Sequence, residues 1–186
     1  MKTLEEMKKE CSLCEKCALC ETRTNVVFGA GVPDAEIMLI GEAPGENEDL
    51  SGIPFVGRAG KLLDKVCDEA GFSREKNIFI ANMLKCRPPK NRDPLPSEVD
   101  LCVGHLRQQI EIIDPKVIVL VGRIAAAYFL GKDFKMTRQH GNAYYIDGRL
   151  WYPVFHPAAV LRNMNLLPEA QEDFKRLRKM VDELKG

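Results

Sequence analysis

Four cysteines, Cys11, Cys14, Cys17 and Cys20, stand at intervals of three near the start of the chain, and Cys86 and Cys102 stand far downstream. Two residues between successive thiols let neighbouring thiolates converge on one centre, as in zinc ribbons and iron-sulfur proteins. A complete local ferredoxin site is not expected. That run needs three residues and then a proline at its last step, whereas Ala18 and Leu19 precede Cys20 and Glu21 follows it. If the segment is helical its four thiols spiral off one face, so two neighbours plus the distant pair Cys86 and Cys102 form the expected quartet. Cys67 instead borders an apolar helix face of Leu62, Leu63, Val66 and Ala70 and reads as core. Cys102 also lies beside an apolar stripe (Val99, Val103, Leu106, Ile110, Ile113), which leaves a buried free thiol as its alternative reading.

A second set of reactive types is scattered: Glu42, Glu46, Glu48 and Asp49 in and after the turn Gly41-Glu-Ala-Pro-Gly45, the amide of Asn82, and the imidazole of His156 in His156-Pro-Ala-Ala159. Singly, each has an ordinary explanation as a tight turn or a packed side chain. The spacings of Gly41, Gly45, Gly52, Gly57 and Gly60 match neither a Walker nor a dinucleotide fingerprint, which disfavours nucleotide-cofactor chemistry.

The elements that position these residues alternate between β-rich and helical runs, an α/β pattern. Glu36–Ile40, Asn77–Ala81, Val117–Val121 and Tyr152–Phe155 read as buried strands of a central, mainly parallel four-stranded sheet. Arg58–Ala70, Ser97–Ile113 and Ile124–Leu130 read as flanking helices, with Ser97 and Asp100 as a capping box and Gly71 and Gly131 as caps. Ala143–Ile146 and Leu150–Val154 flank the hairpin signal Asp147-Gly148. Pro168 opens a last helix whose Ala170, Phe174, Leu177, Val181 and Leu184 face inward. Thr3 and Glu6 cap a first helix that leads into the cysteines. In such sheets ligands collect at the carboxyl ends of strands, which is where Glu42, Asn82 and His156 emerge.

At 186 residues and 45% hydrophobic content the chain suits one domain with a sizeable core. With 27 basic and 27 acidic side chains no global field attracts a polyanion, so a nucleic-acid surface has to be local. Lys85, Arg87, Lys90 and Arg92, set among prolines beside Cys86, form the best local cluster. No stretch reads as a secretory signal or membrane span, so a cytoplasmic, reducing compartment is expected and structural disulfides are not.

Taken in order, Cys14-Glu-Lys-Cys17, Glu21-Thr-Arg-Thr24, Gly41-Glu-Ala-Pro-Gly45, Gly52-Ile-Pro-Phe-Val-Gly57, Asn82, Lys85-Cys-Arg-Pro-Pro89, Asn91-Arg-Asp-Pro94, Cys102 and His156-Pro-Ala-Ala159 resemble the iron-sulfur uracil-DNA glycosylases, family 4 of the uracil-DNA glycosylase superfamily. The resemblance runs from about Cys14 to the last helix. It implies a [4Fe-4S] cluster held by Cys14, Cys17, Cys86 and Cys102, clipping the N-terminal segment to the body, with Cys11 and Cys20 as extras. It also implies a monomer acting on uracil in single- or double-stranded DNA, where the nucleotide is flipped into a pocket.

On that reading Phe55 stacks on the base, Asn82 matches uracil N3–H and O4 and rejects cytosine, and His156 with the Ala43 N–H stabilises charge developing at O2. Ala43 departs from the aspartate that the best-known uracil-DNA glycosylases carry there. Water handling or support of the cation-like sugar then falls to Glu42 or Glu48, with Asn91 as a further candidate and Glu48 alternatively excluding thymine. DNA contacts are expected from Lys85, Arg87, Lys90, Arg92 and Arg162, with Val160 and Leu161 as wedges. Two rivals are a noncatalytic cluster- or zinc-bearing nucleic-acid module and a redox protein using the cysteine run.

Overall fold

The structure is a computed structural model that describes all residues, Met1–Gly186. Six strands form one sheet: β1 (Ala30–Gly31), β2 (Ile37–Gly41), β3 (Ile78–Asn82), β4 (Val117–Val121), β5 (Tyr144–Ile146) and β6 (Arg149–Val154), in the order β1-β3-β2-β4-β6-β5. The inner pairs β3/β2, β2/β4 and β4/β6 run parallel, and the outer pairs β1/β3 and β5/β6 run antiparallel. The expected four-stranded sheet is therefore a mixed sheet of six. The missed edge, β1, is two residues long and has no alternation to read. Its Gly31 has φ of 135°, and a Cβ there would lie 2.2 Å from the Ile78 carbonyl oxygen.

Nine helices surround the sheet: α1 (Leu4–Ser12), α2 (Leu19–Thr22), α3 (Glu46–Ser51), α4 (Arg58–Glu69), α5 (Pro96–Ile113), α6 (Arg123–Leu130), α7 (Met136–Gln139), α8 (Pro157–Arg162) and α9 (Leu167–Lys185). The strand period of two divides the core into two layers. Ile37, Leu39, Ile78, Ile80, Val117 and Val119 pack with Leu63 and Val66 of α4 and Phe174 and Leu177 of α9. The alternate residues Met38, Ile40, Phe79, Ala81, Ile118 and Leu120 pack with Met7 of α1, Leu106 and Ile110 of α5, and Ala125 of α6. A helix on each face is the arrangement that a parallel sheet, apolar on both sides, requires.

Thr3 and Glu6 form the expected capping box: the Glu6 N–H donates to Thr3 Oγ1 at 3.1 Å and the Thr3 N–H to Glu6 Oε2 at 2.8 Å. The start of α5 differs from expectation. It begins at Pro96, and Glu98 rather than Asp100 closes the turn by accepting the Leu95 N–H at 2.9 Å. Leu184 is 44% exposed instead of facing inward. No helix is long and apolar enough to cross a membrane.

Candidate active site and cysteine cavity

The carboxyl ends of β2, β3 and β6 open on one pocket of about 480 Å³, lined among others by Glu42, Ala43, Glu48, Phe55, Asn82, Asn91, Arg92, His156 and Arg162. Parallel pairing puts Gly41 beside Asn82, so the turn after β2 and the amide ending β3 are held in register by the sheet itself. Asn82 is 1% exposed and its Oδ1 accepts no hydrogen bond. An orphaned buried acceptor is rare and costly. At Gly41 a Cβ would lie 2.4 Å from that oxygen and 2.5 Å from Phe55 Cζ, so only glycine lets amide and ring approach this closely.

Phe55 has φ of 53°, a strained conformation for a non-glycine residue that persists only where its surroundings over-determine it. Two features do so. Arg74, which pairs through Nε with Asp64 at 2.9 Å, donates from its two terminal nitrogens to the carbonyls of Pro54 and Phe55. Gly60 packs directly on the Phe55 carbonyl, where a Cβ would have no room. The ring ends 5.8 Å from that of His156.

His156 caps α8: its Nδ1 accepts the Ala158 N–H at 3.0 Å. Burial, reinforced by Arg162 and opposed by Glu48, lowers its pKa to about 4. A neutral ring whose Nδ1 is an acceptor carries its proton on Nε2, so this side chain is a neutral donor. Ala43 N–H makes no hydrogen bond within the chain.

The two candidate glutamates separate. Both oxygens of Glu48 are engaged by backbone: Oε1 by Gly45 N–H at 3.1 Å, Oε2 by Val56 N–H at 3.0 Å and Gly57 N–H at 2.9 Å. It staples the turn after β2 to the Phe55 loop, and its carboxylate is committed to that. Glu42 makes no such bonds; burial and then Asp93 raise its pKa, against Arg123 and Arg162.

Among the basic residues, the structure corrects one outright. Lys85 is 2% exposed, with Nζ bonded to Asn82 O at 2.9 Å and Gln109 Oε1 at 2.6 Å, so it offers nothing to a phosphate. Arg92 is exposed at the pocket but forks onto Glu98 at 2.8 Å through both terminal nitrogens. Arg87 Nε donates to Asn91 Oδ1 at 2.7 Å, which occupies the Asn91 oxygen, and Lys90 is exposed at the tip of the same turn. Val160, at 2% exposure, packs on Phe155 and Ala170 and is no wedge; Leu161 is half-buried and Arg162 exposed. Val160 falls inward because the segment after His156 is already helical.

The N-terminal cysteines meet the downstream pair in a separate cavity lined by Cys11, Cys14, Cys17, Cys20, Cys86 and Cys102. No three of these side chains gather around a single-ion position. Two sulfurs receive donors, Arg23 Nη1 to Cys86 Sγ at 3.4 Å and Lys85 N–H to Cys102 Sγ at 3.3 Å, and His105 Nε2 lies 3.5 Å from Cys14 Sγ. Burial pushes the Cys86 thiol up to about 11 and Cys11 to about 12, so any metal there has to displace protons. Arg23 also holds Cys14 O at 2.6 Å, and Asp49 Oδ1 accepts the N–H groups of Thr24 and Asn25 at 2.8 and 3.1 Å. The segment after the cysteines is thereby tied to α3 and the pocket. Sequence reasoning gave no role to Asp49, Arg74, His105 or Gln109, whose partners are all distant in the chain.

The model of the Uracil DNA glycosylase superfamily matches residues 28–185. The chain is 46% identical to the Type-4 uracil-DNA glycosylase of Sulfurisphaera tokodaii, over 97% of this chain and 86% of that protein. It is 44% identical to the Type-4 uracil-DNA glycosylase of Archaeoglobus fulgidus, over 95% and 92%. To that of Thermotoga maritima it is 45% identical, over 86% and 84%.

Proposed function

The chain belongs to the uracil DNA glycosylase superfamily, and from that premise we propose that it hydrolyses the bond between uracil N1 and deoxyribose C1′ in DNA, releasing uracil and leaving an abasic site. It is a uracil-DNA glycosylase, a hydrolase acting on N-glycosyl bonds in DNA repair. We take it as one domain over residues 1–186, monomeric and cytoplasmic.

The observation that carries the reading is the unpartnered Asn82 Oδ1 in a pocket shared with a neutral histidine donor. A flipped uracil stacks on Phe55 and offers N3–H to Asn82 Oδ1, while Asn82 Nδ2 donates to O4. Cytosine presents an acceptor and a donor in the reverse order and leaves buried groups unpaired. As the glycosidic bond lengthens, negative charge builds at uracil O2 and N1. His156 Nε2–H and Ala43 N–H are donors to O2 that need no reorganisation, each worth about 3–4 kcal/mol in well-measured sites. Glu42 faces the cation-like sugar and orients the water that attacks C1′. Glu48 acts by positioning the Phe55 loop. Phosphate contacts come from Arg92 and Arg162, which line the pocket, and from Arg87 and Lys90 on the adjoining turn.

Cys14, Cys17, Cys86 and Cys102 would hold a [4Fe-4S] cluster. The cavity fits it by its donor set: four sulfurs from three chain segments, with N–H groups or a histidine nitrogen beside three of them and the cation of Arg23 against the thiolate charge. When bound, the cluster supplies covalent links from the N-terminal segment to Cys86 and to α5; the hydrolysis itself transfers no electrons.

The test is an oligonucleotide with one uracil, incubated with the purified chain and then cleaved with alkali, beside a thymine control and His156→Ala. Uracil-specific, His156-dependent breaks are expected. Intact DNA after incubation with cluster-loaded protein would overturn the reading in favour of a noncatalytic module.

A further inference from the structure

Lys85 is a lysine in an unusual place. It is 2% exposed, and the oxygens its ammonium touches are neutral: Asn82 O at 2.9 Å and Gln109 Oε1 at 2.6 Å. Gln109, fully buried in α5, is itself oriented by donating Nε2–H to Phe28 O at 2.8 Å. Lys85 also lines the cysteine cavity, where thiolates offset part of the cost of burying an ammonium, but its two direct contacts are to neutral oxygens, and a methionine would fill the same volume without them. Those two hydrogen bonds are a geometric task that an apolar side chain cannot perform.

The task is visible in its other contacts. The Lys85 backbone N–H reaches Cys102 Sγ at 3.3 Å, its carbonyl accepts the Val27 N–H at 2.7 Å, and Cys86 follows it directly. Its side chain runs back to the carbonyl of Asn82, the residue whose unpartnered Oδ1 lines the base pocket. Between them Met83 and Leu84 are buried at 1% and 0%. Asn82 through Cys86 is therefore a fixed five-residue link with the base-reading amide at one end and a cavity cysteine at the other.

We propose that Lys85 is the positioning residue for Asn82: its ammonium fixes the end of β3 so that the amide is preorganised for uracil, and its backbone registers that strand end against Cys102. The inference rests on the glycosylase reading and deepens it. Preorganisation matters here because the Asn82 side chain has no bond of its own at Oδ1 to hold it before substrate arrives. Fixing the main chain beneath it is the route left. The arrangement also gives the cysteine cavity a way to affect the base pocket with no electron transfer, through the shared strand end.

The experiment is a double-mutant cycle on the full, cluster-loaded chain with Lys85→Met, Asn82→Ala and the pair, read as single-turnover uracil release, with iron per chain and visible absorption measured on each. Lys85→Met should slow release about ten- to a hundred-fold, the range for directly coupled neighbours, with iron and absorption as in wild type. The pair should then be no slower than Asn82→Ala alone to within about three-fold, since Lys85 has nothing left to position. Losses that multiply, a Lys85→Met rate equal to wild type, or a rate loss that tracks lost iron would each overturn the inference. Should Lys85→Met not fold, Gln109→Met carries the same cycle. It frees one side of the ammonium and should cost about three-fold, again only when Asn82 is present; a wild-type rate there overturns the inference. A wild-type chain that releases no uracil overturns the glycosylase reading, and this inference with it.

Discussion

The base pocket and the cysteine cavity sit at opposite ends of the five-residue link Asn82–Cys86, yet they are built by opposite means. The pocket is set by the sheet: parallel pairing aligns Gly41 with Asn82, and β6 delivers His156 to the same rim. Its polar atoms are left open, with Asn82 Oδ1 unpartnered and Ala43 N–H free. The cavity is set by loops and helix ends from residues 11–23, 86 and 102, and three of its sulfurs have neighbours that donate or can donate to them. A site that must bind and release a base keeps unsatisfied groups on a rigid frame, whereas a site that holds a permanent group wraps it with partners. The two should fail differently.

The sharpest break is His156→Ala. Removing one preorganised donor should cost about 10²–10³ in the rate of uracil release, with iron content unchanged and little loss of thermal stability. A variant that also loses its iron would erase the separation between the regions. Cys102→Ala should invert the pattern. The free energy of binding at a structural metal site is folding free energy, so unfolding free energy should drop by a few kcal/mol, and limited proteolysis should cut first within residues 1–25. Cys67→Ala, buried in the opposite core layer, should leave the iron untouched. Equal iron loss in both variants would refute the proposed ligand set.

A titration separates the regions without touching the cysteines. The His156 pKa falls from 6.5 to about 4 in the folded chain, mainly through burial. Between those values the unfolded chain binds the proton and the folded chain does not, so the stability this residue permits is full above about pH 6.5 and is lost as pH falls toward 4. Urea unfolding of wild type against His156→Gln should show an extra loss on the order of 3 kcal/mol between about pH 7 and about pH 4. Parallel curves would mean that the ring is solvated in solution. Activity should fall on the acid side as Glu42, its pKa raised by burial and Asp93, takes up its proton.

The same contrast governs what the sequence disclosed. Val117–Val121, entirely buried, is a run of five apolar residues whose place as a central strand needs no tertiary information. Once the strands are known, the rim residues Glu42, Asn82 and His156 follow from where strands end. What stayed hidden depends on partners far along the chain. Lys85 reads as surface because it stands among arginines and prolines, and its burial is decided by Gln109, 24 positions away. Glu48 reads as a water-handling carboxylate because nothing local reveals that its oxygens meet the N–H groups of Val56 and Gly57. Val160 reads as a wedge because its helix is one turn too short to show a period. Side-chain type and strand order are local facts; whether a charged group is free to react is a tertiary one.

Arg74 tests the pocket's rigid frame at its edge. It touches no substrate; it lies behind Phe55, donating to the carbonyls of Pro54 and Phe55 while Asp64 holds its Nε at 2.9 Å. Phe55 sits at φ 53°, a conformation costing on the order of 1–3 kcal/mol that its neighbours have to offset. Arg74→Ala should let the loop relax, weakening base stacking, itself worth about 1–3 kcal/mol per base. The loss should appear chiefly as a KM raised about ten-fold, with kcat and iron content close to wild type. Arg74→Lys should restore little, because a single ammonium cannot span two consecutive carbonyls and a carboxylate as the guanidinium fork does. If kcat falls while KM holds, the ring contributes in the transition state rather than as a platform. The flat, passive wall of the pocket would then share the work now assigned to His156 and Asn82.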